Sequence, residues 1–136
     1  MAEKKYEKYV YEHPINHGDF GPSIDYAGEK VFDSNFSLIC LPVTKPVLME
    51  EYPHSHEFDM YITLIGLNPN GLEDLGGEVE IYLGEEKEKY VITKPTSVYM
   101  PKGMIHCPLE FKRVDKPMLL IHATLASKYE KAHIYK

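Results

Sequence analysis

The sequence predicts an all-β protein, a barrel or sandwich of short strands, and three observations predict it. Runs of β-branched and aromatic residues recur at spacings of about 8–12 residues with turn residues between them. Ten Pro and nine Gly supply those turns and leave little room for long helices. The aromatic set is 11 Tyr and 5 Phe without a Trp. Tyr suits a pleated surface that is apolar at its base and wet at its tip.

Taken in order, residues 1–12 alternate charge with Tyr and lack an apolar stripe, and 13–33 are rich in Gly, Pro, Asp and Asn. Residues 1–33 therefore read as an N-terminal arm and loop. Phe36 to Val43 reads as a buried strand interrupted near its end by Pro42, and Val47 to Tyr52 as a short one. Phe58 to Leu67 is the strongest strand. Phe58, Met60, Ile62 and Leu64 make one apolar face, and Asp59, Tyr61 and Thr63 populate the other. Leu67 to Gly77 is a loop marked by Asn-Pro, Asn-Gly and Gly-Gly. Glu78–Leu83 and Tyr90–Thr93 form a hairpin around a charged turn. Ser97–Met100, Cys107–Phe111 and Pro117–Leu125 supply three further strands. Only Ala126 to His133 has a weak helical pattern. The barrel is placed at 34–126 and a tail at 127–136, within one domain of 136 residues.

The formal net charge of −6 argues against nucleic-acid or anionic-membrane partners, which call for clustered Lys and Arg. Lys112, Arg113 and Lys116 make only a short basic patch. The first residues lack an apolar run of the kind a signal peptide carries, so the expected location is the cytoplasm, with Cys40 and Cys107 as free thiols. Strand alternation turns Cys107 away from its neighbour His106. The apolar face of Phe58, Met60, Ile62 and Leu64 needs a cover. The N-terminal arm is a candidate cover within the chain or across a homodimer.

The chemistry concentrates in three places. His54 and His56, separated by one residue at the mouth of a strand, share a face and can share an ion; imidazole suits Zn, Cu, Fe and Ni alike. Glu57 and Asp59 follow at once, and a carboxylate beside histidines is a common ligand set for catalytic Zn and non-haem Fe. About fifty residues later, the turn Pro101-Lys102-Gly103 delivers His106 to the start of a strand. His122, flanked by apolar residues, reads as a core or interface residue. Facing a cavity, it would be a base or a substrate contact. Tyr61, Thr63, Tyr99 and Glu110 are candidate polar handles for a ligand, with Tyr61 and Tyr99 facing inward.

In this order, the two histidine segments resemble the two boxes of the cupin superfamily over residues 36 to 125. The resemblance implies a jelly-roll barrel, a double-stranded β-helix, that holds one divalent ion (Fe, Mn, Zn or Ni) on His54, His56 and His106. The position of the family's glutamate is taken by Met60 and Tyr61, and counting back from Gly66 by the family's spacing gives Asp59 as the acidic ligand. Pro95 and Glu110 stand where the second box has Gly and Asn. The resemblance implies a metal-dependent enzyme of small-molecule metabolism, of isomerase, lyase or decarboxylase type. Lewis-acid activation would be assisted by Asp59 or Glu57 as base and by Tyr61 as a substrate contact. A non-haem Fe(II) dioxygenase and a non-catalytic ligand-binding module are the alternatives, and members are often dimers.

Overall fold

The computed structural model describes residues 4–128 and 133–134. Two antiparallel sheets pack face to face. The first contains β1 (Asn16–Gly18), β2 (Gly21–Tyr26), β3 (Ser37–Val43), β6 (Met60–Gly66), β9 (Thr96–Met100) and β11 (Met118–Thr124), in the order β1-β2-β3-β11-β6-β9. The second runs β12-β5-β10-β7-β8, with β4 also paired to β10. Its strands are β4 (Val47–Glu50), β5 (His54–Ser55), β7 (Gly77–Leu83), β8 (Glu88–Ile92), β10 (His106–Val114) and β12 (His133–Ile134). Among the described residues a single 3-10 turn lies at Glu7–Tyr9 and a short α-helix, α1 (Gly28–Val31), follows β2. No helix among the described residues is long and apolar enough to cross a membrane.

Alternation along the strands builds the core. Met60, Ile62 and Leu64 on β6 are buried, while Tyr61 between them is exposed. From the first sheet they meet Leu41, Val43, Met100, Met118 and Leu120; from the second come Val79, Ile81, Ile92, Leu109 and Phe111. Phe58 packs against the same cluster. The cover for the apolar face of β6 is thus the opposite sheet of the same chain, so that face supplies no reason for a partner subunit. At Gly77 the backbones come so close that a Cβ would lie 2.0 Å from the Arg113 carbonyl oxygen, a contact that only glycine avoids.

Two expectations are corrected here. The stretch read as loop holds the β1–β2 hairpin, whose β2 pairs with β3 through Ile24–Cys40 and Tyr26–Leu38. Polar, Gly- and Pro-containing sequence conceals an edge pair, because an edge needs only one packed face. The helix expected over 126–133 is not what the described part of that stretch forms. Residues 126–128 are bends, and His133–Ile134 pair with His54 and Ser55 as a strand; the intervening residues lie outside the described ones.

Candidate metal centre

Strand register brings the histidines together. His54 on β5 is the direct partner of His106 at the start of β10, and their rings lie 4.4 Å apart between centroids. His56 stands 4.9 Å from His54 and 5.1 Å from His106, with its ring stacked on Phe58. All three are at most 2% exposed. His54 Nδ1 donates to the Tyr52 carbonyl at 3.1 Å, and His106 Nδ1 to the Met104 carbonyl at 3.0 Å. A carbonyl can only accept, so the proton sits on Nδ1 and Nε2 carries the lone pair. Ligating imidazoles show this arrangement, with the far nitrogen tied to a backbone carbonyl.

Electrostatics point the same way. Burial pushes the His106 imidazolium down to about 3, reinforced by the neighbouring His54, His56 and His122. The ring is therefore neutral near pH 7, the form in which it binds a metal. The buried His106 Nε2 has no hydrogen-bond partner among the described residues. A buried acceptor without a donor costs about 1–3 kcal/mol, and a cation answers that need. Donor atoms of His54, His106 and the adjacent Cys107 lie within 4.8 Å of one another, a set that fits a metal ion.

The turn before His106 is fastened to the first histidine segment. Gly103 N–H donates to the His56 carbonyl at 2.9 Å, and Met104 N–H to the Pro101 carbonyl at 3.0 Å. Gly103 sits at φ +86, a conformation that glycine adopts without steric cost. Here lies the place of Asp59. Its carboxylate accepts the Lys102 N–H at 2.8 Å and reaches Tyr99 of β9, on the outer face of the first sheet.

His54 and His106 open onto a cavity of about 180 Å³ lined largely by apolar side chains, among them Ile39, Leu41, Met60, Ile62 and Leu120. Its polar groups are Glu50, His54, His106, Cys107 and His122. A wider recess of about 490 Å³ beneath β2 and α1 shares Ile39 and His122 with it.

No known family profile matches the chain, and no curated protein matches it in sequence. Solved structures do. The capsular polysaccharide assembling protein CapF from Staphylococcus aureus superposes with a TM-score of 0.58 at 13% identity, over 90% of this chain and 31% of that one. A variant of oxalate decarboxylase from Bacillus subtilis gives 0.56 at 9% identity, over 88% of this chain and 29% of that one. These neighbours are cupin-fold proteins. The fold is the cupin fold. The chain spans less than a third of each neighbour's length.

Within this cupin barrel, the rings of His54, His56 and His106 stand 4.4–5.1 Å apart between centroids. The donor atoms that converge within 4.8 Å are those of His54, His106 and Cys107, so His56 is the less closely placed of the three expected ligands, and the other candidates stand elsewhere. Asp59 lies outside because strand parity opposes it to the buried Met60. Glu57 is exposed on the loop before β6. Tyr61 and Tyr99, expected inward, are outside at 40% and 47% exposure, a cross-strand pair of tilted rings 4.9 Å apart. Thr63 shares that outer face with Ser97, and Glu110 pairs with Lys112 at 3.8 Å. Replacing Asp59 with Ala is expected to cost about 1 kcal/mol through loss of the turn anchor and to leave metal content unchanged. Loss of the ion in that variant would return Asp59 to the ligand set.

Three further residues line the cavity: Glu50, which the sequence did not single out; His122, whose reading as a cavity-facing contact applies; and Cys107, which strand alternation had turned away. Glu50 ends β4 on the cavity wall, and its only sequence signal is a carboxylate just ahead of the H-x-H segment. His122 shares its inward parity with Leu120 and Thr124 on β11; burial and the nearby His56 and His54 push it down to about 4. Cys107 faces the cavity rather than away from it. From His106 to Leu109, β10 takes three steps while β7 takes two, from Leu83 to Ile81. That is a β-bulge, where one extra residue breaks the alternation, and Cys107 occupies it at φ +84.

Proposed function

We propose that this cupin-fold chain binds one divalent ion at His54, His56 and His106 and acts as an enzyme of small-molecule metabolism, of isomerase, lyase or decarboxylase type. The observation that carries the reading is the buried cluster of His54, His56 and His106, of which His54 and His106 form one wall of a small apolar cavity. A bound divalent ion would supply Lewis acidity toward an oxygen-bearing group of the substrate.

The chain's own residues supply the rest. The cavity lies below the roughly 300 Å³ at which pockets for drug-sized ligands begin, so the reacting part of the substrate is small, such as a carboxylate or hydroxy-carbonyl group. Ile39, Leu41, Ile62 and Leu120 exclude water and strengthen polar contacts within. Glu50 is the one carboxylate among the described lining residues and fits the role of proton acceptor and donor. His122 stands between the cavity and the wider recess, placed to hydrogen-bond a substrate that extends between them.

The test begins with protein purified without an affinity tag, which should carry about one divalent ion per chain by elemental mass spectrometry. Turnover is then sought among small hydroxy- and keto-acids. Glu50→Gln should lower kcat by about 100-fold or more, the usual weight of a general acid–base residue, with the ion retained. A chain that carries no ion from a metal-replete host overturns the reading.

A further inference from the structure

We propose that Cys107 binds the same ion as a thiolate, so that the centre is a mixed nitrogen–sulfur site for a zinc-class ion. The proposal rests on the metal-centre reading of the histidines and adds a donor that reading does not require.

Three observations carry it. One ligand atom each from His54, His106 and Cys107 all lie within 4.8 Å of one another. Small side-chain rotations bring such a set to the bond lengths of about 2.0–2.3 Å that zinc makes with nitrogen and sulfur. All three residues are buried, with exposures of 2%, 1% and 3%. The buried His106 Nε2 has no hydrogen-bond partner among the described residues.

The backbone is arranged to put the sulfur there. A regular strand would point Cys107 away from His106, but the bulge turns both side chains into one cavity. The bulge holds Cys107 at φ +84, a region uncommon for any residue other than glycine. A small apolar filler needs no such placement. Residues held in sparse backbone regions cluster at functional sites.

The other cysteine provides the contrast. Cys40 lies on β3 between Ile39 and Leu41, both of which line the cavity, so its thiol points to the opposite face.

On binding, the Cys107 thiol gives its proton to solvent and the sulfur lone pair forms the metal bond. Thiolate favours zinc-class ions over the hard ions that prefer carboxylate and water.

Cobalt(II) loading of the full chain tests this, because thiolate-to-cobalt charge transfer gives a near-ultraviolet band that imidazole ligation does not. The expected result is one cobalt per chain with that band, lost in Cys107→Ser and kept in Cys40→Ser. Should Cys107→Ser fail to fold, X-ray absorption at the zinc edge of the wild-type chain reads the same bond as a sulfur shell at about 2.3 Å. One cobalt per chain without the band, a band lost with Cys40, or a zinc edge without sulfur overturns the proposal and leaves the histidine centre standing. Folded protein that takes up neither metal overturns both.

Discussion

Replacing His54 or His106 with Ala is expected to abolish stoichiometric metal binding, each change alone being sufficient. Each residue supplies an Nε2 lone pair whose tautomer is set by an Nδ1–H bond to a backbone carbonyl. Disturbing only the outer support of a ligand typically lowers metal affinity 10–100-fold. Removing the ligand itself should therefore exceed about 100-fold. The fold should survive, because each substitution gives up about one hydrogen bond, near 1 kcal/mol, and a partly refillable volume. Thermal melts with and without added ion separate the effects. A ligand that binds only the native state raises the melting temperature by mass action, so wild-type protein should show a metal-dependent shift that both variants lack. A variant that folds and retains one ion per chain would show that its histidine is not a ligand.

The second large effect is expected at Phe111, which is fully buried and lies on β10 opposite Val79 of β7 and Val47 of β4. Truncating a buried Phe to Ala costs about 3–5 kcal/mol, the lost transfer energy plus the cavity left behind. Small domains have only about 5–15 kcal/mol of stability in total. Phe111→Ala should thus remove a large share of it, seen as a sharply lower urea midpoint with an unchanged slope. Leu48→Ala on neighbouring β4, at 46% exposure, should move the midpoint little. Because β10 also carries His106 and Cys107, metal affinity should weaken in Phe111→Ala even where the protein remains folded. Equal midpoints for the two variants would refute this account of the core.

How much was legible from sequence differs from residue to residue, and the reasons are physical. Phe58, Met60, Ile62 and Leu64 alternate with polar residues, and a period of two identifies a half-buried strand without any partner in view. The H-x-H pair and the Pro-x-Gly turn are equally local. The same parity placed Asp59 and Tyr61 together on one face, but not which face was inside. An acidic residue beside histidines reads as a ligand by chemistry alone. The burial of Met60 and Ile62 against the second sheet sends that whole face outward and makes Asp59 the anchor of the turn that carries His106.

By itself the sequence determined the strand set from β3 to β11, with the two-residue β5 as the exception, and the three histidines, because periodicity and turn chemistry are written in neighbouring residues. Tertiary structure alone decided the rest of the site. Glu50 and His122 reach the cavity from strands far apart in the chain, through register that sequence spacing does not record. Cys107 turns inward at a bulge created by a mismatch of one residue between β10 and β7, a property of the pair and of neither strand alone.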